Sequence, residues 1–157
     1  MKTLIVYTSK YGCTADCAAH LRANLPGEVA LIDINKANDP IELEAFDTVI
    51  IGGSVYIGKV SKKLRVFCQS NVDLLCRKKV GIFLCCALAG QVDEVLANNF
   101  PAALLEHAKT VKTFGSEARL EKMSLPDKMI IKAVTKGDFS YFRISEENMA
   151  DFVRKMS

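Results

Sequence analysis

The sequence contains no tryptophan, only 2 histidines and 4 prolines, and no long apolar run. His20 and His107 lie in helical patterns beside no recognisable catalytic partner, so no catalytic side chain is predicted. A membrane span needs about 18 or more consecutive apolar residues, and no segment of this sequence approaches that length. The apolar stretch after Lys2 is too short for a signal peptide, so a cytoplasmic protein is expected.

Excess charge of one sign is also missing, because 21 basic and 18 acidic residues leave a net charge of only +3. So small an excess gives no reason to expect a nucleic-acid partner. The hydrophobic fraction is 50%, and 157 residues are enough to bury one core together with one cofactor. A single domain over residues 1–157 is therefore predicted.

The cysteines show no CxxC pair, a spacing that is typical of zinc and iron–sulfur sites. Cys13 and Cys17 are four residues apart on one predicted helical face, but two ligands do not make a metal site, and no metal is expected. Most cysteines occupy apolar positions, where a free thiol packs as a small hydrophobic group. The six are Cys13, Cys17, Cys68, Cys76, Cys85 and Cys86.

What the sequence does contain is an alternation of short apolar runs and helical patterns. The runs are rich in Val, Ile, Leu and Phe and predict strands at residues 3–7, 28–33, 47–52, 79–85 and 109–114. Strands that are apolar on both faces and alternate with helices indicate a parallel sheet covered on both sides. We therefore predict an α/β fold with helices on both faces of a five-stranded parallel sheet in the order 2-1-3-4-5. Ligands of such sheets bind at the carboxyl ends of strands one, three and four.

The helices are predicted from apolar stripes with a period near 3.6 residues. Pro101 interrupts the pattern over residues 91–107, and Ser145 is the predicted cap of the last helix. The other stripes are Thr14, Cys17, Ala18, Leu21 and Leu25; Val60, Leu64, Phe67 and Cys68; and Met149, Phe152, Val153 and Met156.

The first strand runs directly into a loop of hydroxyl residues and one glycine, and a helical pattern follows at once. The loop residues are Ser9, Lys10, Tyr11, Gly12, Cys13 and Thr14. The hydroxyls and the N–H groups of the helix start suit a phosphate, with Gly12 allowing a tight turn. The loop is too short for a Walker A motif and lacks the three glycines of a dinucleotide fingerprint, so a single terminal phosphate is the predicted ligand. A turn that only caps the helix is the alternative.

Cys13 within this loop has two interpretations. A thiol at a helix N-terminus can have a lowered pKa and act as a redox switch. The favoured interpretation is a spacer residue whose backbone N–H contacts the phosphate.

Two further strand ends carry unusual loops. The third strand ends in Gly52 and Gly53, and the residues that follow are Ser54, Val55, Tyr56, Ile57 and Gly58. Tyr56 can stack on a conjugated ring whose polar edge the loop backbone would bind; a tyrosine on a plain surface turn is the alternative. The small residues after the fourth strand would contact the other edge of the same ring: Cys86, Ala87, Leu88 and Gly90.

The predicted ligand has a terminal phosphate and a flat heteroaromatic ring that two apolar loops would contact. FMN fits this description. The first loop, a hydroxyl residue followed by x-x-Gly-x-Thr, and the segment containing Gly52, Ser54, Tyr56 and Gly58 resemble the flavodoxin family. The chain is similar in particular to the branch that includes the menaquinone-dependent protoporphyrinogen IX dehydrogenases, a similarity that extends to the segment 129–132. The resemblance implies a non-covalently bound FMN, held by the loop residues named above, that transfers electrons.

Two function classes stay open. The first is an FMN-dependent redox protein, which is either an electron carrier for a redox partner protein or an oxidoreductase that uses a quinone or a small-molecule substrate. The second is a non-redox regulatory or phosphate-binding domain of the same topology. A receiver domain is excluded, because Thr8 and Gly53 stand where it would need acidic residues.

A basic and apolar stretch follows Gly115. Its cationic members, Arg119, Lys122, Lys128, Lys132 and Lys136, are interleaved with methionine, isoleucine and leucine. We favour an amphipathic helix that packs on the sheet with its lysines in water. Contact with a membrane surface or a quinone is the less favoured alternative.

Overall fold

The computed structural model describes residues 1–86, 89–117, 119–136 and 143–157. Its five strands form one parallel sheet in the order β2-β1-β3-β4-β5, which confirms the predicted topology. The strands are β1 (Lys2–Tyr7), β2 (Glu28–Asp33), β3 (Thr48–Ser54), β4 (Lys79–Cys85) and β5 (Thr110–Thr113).

The helices confirm the predicted stripes and add short elements to them. The break at Pro101 separates two helices, and the Ser145 side chain accepts a hydrogen bond from the Asn148 N–H, as its predicted cap role requires. The helices are α1 (Cys13–Asn24), α2 (Lys62–Ser70), α3 (Val72–Leu75), α4 (Val92–Asn99), α5 (Ala102–His107), α6 (Leu125–Thr135) and α7 (Glu146–Met156). Within the described residues, no helix has the length and apolarity of a membrane span.

The sheet separates two apolar cores, because successive side chains of a strand point to opposite faces. Leu4 and Val6 of β1 pack with α2 to α5 on one face. Ile5 packs on the other face with α1 and α7, beside Phe83 and Phe114, whose rings stack with centroids 4.7 Å apart. Both faces are therefore covered by helices, as predicted.

The strand ends converge at one edge of the sheet. The Thr8 N–H, directly after β1, donates to the Gly52 carbonyl of β3 at 3.1 Å. The Val55 N–H, directly after β3, donates to the Cys85 carbonyl of β4 at 3.0 Å. The loops that follow β1, β3 and β4 therefore start side by side.

Gly52 and Gly53 correct the sequence analysis in one respect. The predicted third strand ends at residue 52, but β3 continues to Ser54 and contains both glycines. A Cβ on Gly52 would lie 2.2 Å from the Phe83 ring, and one on Gly53 would lie 3.0 Å from Val60. The protein's own packing therefore accounts for these glycines, and the flat group close to Gly52 is Phe83.

The basic stretch is not one helix. Ser124 caps α6 by accepting a hydrogen bond from the Asp127 N–H, and a proline in the first turn favours a helix start at this point. Arg119 and Lys122 therefore precede the helix. The packing of α6 is only partial, since Leu125 and Met129 are 70% and 64% exposed.

Candidate functional site

The loop between β1 and α1 is shaped to receive an anion. It turns at Gly12, whose φ of 96° is a left-handed conformation that glycine adopts readily. Ser9 Oγ accepts hydrogen bonds from the N–H groups of Gly12, at 3.0 Å, and Ala15, at 3.3 Å. Because α1 begins at Cys13, the N–H groups of its first turn lack intrahelical acceptors and carry the positive end of the helix dipole.

Two threonine hydroxyls in and beside this loop have unused hydrogen-bonding capacity. Thr8 is 2% exposed and Thr14 is 1% exposed. No described residue forms a hydrogen bond with the Oγ1 atom of either side chain. A buried hydroxyl without a partner is costly, and a bound anion would satisfy both groups.

Arg119 brings a guanidinium group to the same loop. Its Nη1 donates to the Tyr11 carbonyl at 3.3 Å and would lie 2.6 Å from a Cβ on Gly12. The other guanidinium nitrogens bind Asp16, at 2.5 Å, and Glu117, at 2.9 Å. Hydrogen bonding to Asp16 raises the pKa of Arg119 above its already high value, so the group stays cationic. The sequence analysis assigned Arg119 to the basic stretch and missed this contact.

The loop after β3 closes into a tight turn at Tyr56–Lys59. The N–H and carbonyl groups of Tyr56 and Lys59 bond reciprocally, at 2.9 and 3.1 Å. Both central residues have positive φ, 49° at Ile57 and 71° at Gly58, which glycine tolerates but a β-branched isoleucine does not without strain. Ile57 is also 66% exposed, and strain retained at an exposed apolar residue is typical of functional sites.

Asp127, from the first turn of α6, joins these two loops. Lys10 Nζ lies 2.8 Å from its carboxylate, the Tyr56 hydroxyl donates to it at 2.5 Å, and the Tyr11 hydroxyl donates to it as well. Lys10 Nζ also lies 4.2 Å from the centroid of the Tyr56 ring. We call these four residues the Asp127 cluster.

The cluster fixes the protonation of its members. The hydrogen bond from Lys10, followed by those from Tyr11 and Tyr56, holds the pKa of the Asp127 carboxyl well below its ordinary value. Burial, together with the hydrogen bond to Asp127, raises the pKa of Tyr56 to about 12. At neutral pH the carboxylate is therefore ionised and the Tyr56 phenol keeps its proton.

A cleft of about 670 Å³ opens between the first loop and the turn after β3. Its volume lies within the range of about 300–1,000 Å³ that is usual for cofactor and small-molecule sites. It is lined by Thr8, Ser9, Lys10, Asn35, Ser54, Tyr56, Ile57, Lys59, Val60 and Ser61. The two loops predicted from sequence thus line one cavity.

The structure places only some of the predicted site residues at the cleft. Gly12, Cys13 and Thr14 lie at the start of α1, Val55 precedes the turn after β3, and Gly58 is one of the two central residues of that turn. None of these five residues lines the cleft. Cys86 is only 5% exposed, and Gly90 belongs to a short 3-10 turn, Ala89–Gln91; neither lines the cleft. Ala87 and Leu88 lie outside the described residues.

Four residues of this region were missed altogether by the sequence analysis, one of which is Lys59 at the cleft. Asn35 and Ser61 line the cleft and bond to each other at 3.1 Å, and Asp127 centres the cluster. A signal for Asp127 exists: serine followed three residues later by an acid marks a helix start at Ser124. Nothing in the sequence places that helix start against Tyr11 and Tyr56.

Comparisons with known proteins agree with this architecture. The sequence profile of the flavodoxin domain matches residues 4–142. Oxidised flavodoxin 1 from Bacillus cereus aligns with a TM-score of 0.54 and 20% identity, over 86% of this chain and 98% of that chain. A flavodoxin, WrbA-like protein from Agrobacterium tumefaciens aligns with a TM-score of 0.56 and 20% identity, over 99% of both chains.

An archaeal flavodoxin aligns with a TM-score of 0.56 and 17% identity, over 87% of this chain and 99% of that chain. At these identities the structural likeness shows the fold alone. No curated protein sequence gives a significant match.

Proposed function

The chain belongs to the flavodoxin-domain family, and on that premise we propose that it is an FMN-binding redox protein. One observation carries the proposal: the Thr8 and Thr14 hydroxyls are buried without a partner among the described residues, in and beside a loop that leads into a helix N-terminus. These groups fit the terminal phosphate of FMN, since a phosphate has acceptor oxygens for every donor that the loop leaves unused.

The loops predicted from the sequence would hold the rest of the cofactor, and Ser9, Lys10, Ser54, Tyr56 and Ile57 of these loops line the cleft. Ser9, Lys10, Tyr11, Gly12, Cys13 and Thr14 would hold the phosphate end, with Arg119 adding positive charge beside the loop. Ser54, Val55, Tyr56, Ile57 and Gly58 would hold one side of the ring, and Cys86, Ala87, Leu88 and Gly90 the other. Bound FMN would supply the electron transfer, and the protein would supply binding, orientation and electrostatic tuning.

The protein's own groups have definable roles in that arrangement. The strained Ile57 turn presents an apolar side chain and backbone amides at the cleft rim, where they would exclude water. Lys10 carries a cation to the junction of the two loops, and Asp127 holds that cation in place. Because the Asp127 carboxylate offsets the charge of Lys10, the pair would orient the ammonium group at the cleft without adding net charge to it. No described side chain is positioned so that it must act as a catalytic acid or base, which suits a protein that moves electrons.

The proposal is tested by replacing Thr14 with the isosteric valine. The loss of one hydrogen bond to a charged group costs about 1.5–3 kcal/mol, so Thr14→Val should weaken FMN binding by about 10- to 150-fold. The measurement is a titration of the flavin-free protein with FMN, followed by flavin fluorescence.

Thr48→Val is the matched control. Thr48 is 1% exposed and its Oγ1 likewise has no described partner, but it lies at the opposite end of β3. It should leave FMN affinity unchanged. Equal affinities in the two variants would exclude Thr14 as a phosphate contact, and a protein that binds no FMN at all would favour the non-redox alternative.

For the electron acceptor we propose a quinone, as in an oxidoreductase of the protoporphyrinogen dehydrogenase type, in preference to a protein that docks by charge. The supporting observation is the exposed pair Leu125 and Met129, which lies on the same helix as Asp127 and beside Lys128 and Lys132. An apolar patch next to the cleft suits a hydrophobic acceptor or the membrane surface that holds it.

The double substitution Leu125→Ser with Met129→Ser tests the acceptor. It should slow quinone reduction several-fold and leave the reduction of ferricyanide, a hydrophilic acceptor, unchanged. Equal slowing with both acceptors would show that the patch serves folding or flavin binding, and an unchanged quinone rate would exclude it as the acceptor's contact.

A further inference from the structure

Three cysteine thiols meet below the first loop. Cys13 comes from the first turn of α1, Cys17 from the next turn, and Cys85 from the last position of β4. Their sulfur atoms all lie within 4.8 Å of one another, and the Cys85 and Cys17 sulfurs are 3.8 Å apart. The sequence shows the four-residue spacing of Cys13 and Cys17, but only the packing of α1 on the sheet brings Cys85 to them.

The spacing of the sulfurs matches a metal site. Metal–thiolate bonds of about 2.3 Å arranged in a plane at 120° place the three sulfurs about 4.0 Å apart. The three thiols would therefore need only small side-chain shifts to bind one ion. A site that forms this way requires no backbone movement.

The surroundings select a soft ion of low coordination number. Cys17 and Cys85 are 4% and 2% exposed within the apolar core that includes Ile5 and Phe83. Among the described residues, no histidine, aspartate, glutamate or further cysteine joins the group as a fourth ligand. Zinc in proteins takes four ligands, whereas Cu(I) accepts three and prefers thiolates.

The three thiols differ in exposure. Cys13 is half-buried, whereas Cys17 and Cys85 are buried. Cys13 would therefore bind the incoming ion first, and each thiol that becomes a ligand would release its proton to solvent.

From this geometry we propose that Cys13, Cys17 and Cys85 form a three-coordinate thiolate site for one Cu(I) ion. The site lies on the core side of the loop whose backbone faces the proposed phosphate, and Cys13 belongs to both. It does not depend on the flavin, so it stands or falls separately from the proposed function.

The experiment is an anaerobic titration of the reduced, flavin-free protein with Cu(I) in competition with a chromogenic Cu(I) chelator. We expect one ion per chain and, by X-ray absorption, a shell of three sulfurs around it. Zn(II) should bind more weakly in a parallel titration. No binding, a stoichiometry other than one, or preference for Zn(II) in a four-ligand shell would overturn the proposal.

Substitutions identify the ligands. Changing even outer-shell partners of metal ligands costs about 10- to 100-fold in affinity, so Cys17→Ser should weaken Cu(I) binding by more than about 100-fold. Cys68→Ser is the matched control, because Cys68 is fully buried in the core on the other face of the sheet. It should leave Cu(I) affinity unchanged, and equal losses in both variants would overturn the assignment.

A test of folding keeps these results interpretable. Cys17→Ser should keep the circular dichroism spectrum of the unmodified protein, and the half-buried Cys13→Ala should lose Cu(I) binding without unfolding. If Cys13→Ala binds Cu(I) as the unmodified protein does, Cys13 is not a ligand and the three-thiolate site is wrong.

Discussion

The two ends of the cleft differ in how their polar groups are used. At the phosphate end, the Thr8 and Thr14 hydroxyls have no partner among the described residues. At the ring end, the Tyr56 hydroxyl already donates to Asp127, which also binds Lys10 and Tyr11 of the first loop. One end is complete except for its ligand, whereas the other is held closed by the protein itself.

This difference indicates where binding energy arises. The Thr8 and Thr14 hydroxyls can bind an anion without first breaking a hydrogen bond to any described residue. At the ring end, Lys10 lies over the Tyr56 ring and would have to move before that face could stack on a flavin. We therefore expect the phosphate to dominate affinity and the ring contacts to adjust it.

Of the substitutions that compare the two ends of the cleft, Gly12→Ala should have the largest effect on FMN affinity. An alanine in a left-handed conformation costs about 1–2 kcal/mol, and its Cβ would also displace the Arg119 guanidinium. FMN affinity should fall by about tenfold or more, measured by fluorescence titration.

Gly27→Ala is the control for backbone strain. Gly27 also has a positive φ, 81°, and its added Cβ would lie 2.6 Å from the Met1 carbonyl oxygen, away from the cleft. It should destabilise the protein, as seen by thermal unfolding, without changing FMN affinity. If Gly12→Ala lowers only stability in the same way, the phosphate end is not where the ligand binds.

A smaller effect is expected at the ring end. Tyr56→Ala removes a stacking surface worth about 0.5–1.5 kcal/mol, so FMN should bind about two- to tenfold more weakly. Tyr56→Phe keeps the ring but loses the hydrogen bond to Asp127, and should bind FMN nearly as well as the unmodified protein. A loss as large in the phenylalanine variant as in the alanine variant would assign the effect to the hydroxyl group.

The smallest predicted effect is the loss of hydrogen-exchange protection in α6 when acid protonates Asp127. Because the folded-state pKa of Asp127 is depressed, its stabilisation of α6 is complete above the ordinary value of about 3.9 and is lost as the pH falls below it. Hydrogen exchange, corrected for intrinsic rates, should show the α6 amides losing protection in acid. Asp127→Asn should lower that protection at neutral pH and remove its dependence on pH over this range.

Asp151→Asn provides the comparison for this measurement. The hydrogen bonds from Lys112 and Lys155 lower the pKa of Asp151 to about 2, but Asp151 lies on α7. Its substitution should affect α7 and leave α6 unchanged. Loss of α6 protection in both variants would indicate general acid unfolding.

The sequence predicted the regular elements well, because local periodicity determines them. All five strands, the break at Pro101 and the Ser145 cap follow from patterns that packing preserves. The first loop was predicted for the same reason, since a hydroxyl and glycine loop before a helix has local signals.

Contacts between distant segments were not predictable in this way. Asp127 reaches Tyr11 across 116 positions of the chain, and Arg119 reaches it across 108. The meeting of Cys85 with Cys17 likewise depends on how α1 packs on the sheet. The contact of Gly52 with the Phe83 ring likewise depends on how β4 pairs with β3.

The most direct test of the account is a calorimetric titration of the flavin-free protein with FMN and, separately, with riboflavin, which has the same ring and no phosphate. If two or more donors of the Ser9–Thr14 loop bind the phosphate, FMN should bind about a hundredfold or more tightly than riboflavin. Equal affinities for the two flavins would contradict the assignment of that loop as the phosphate site.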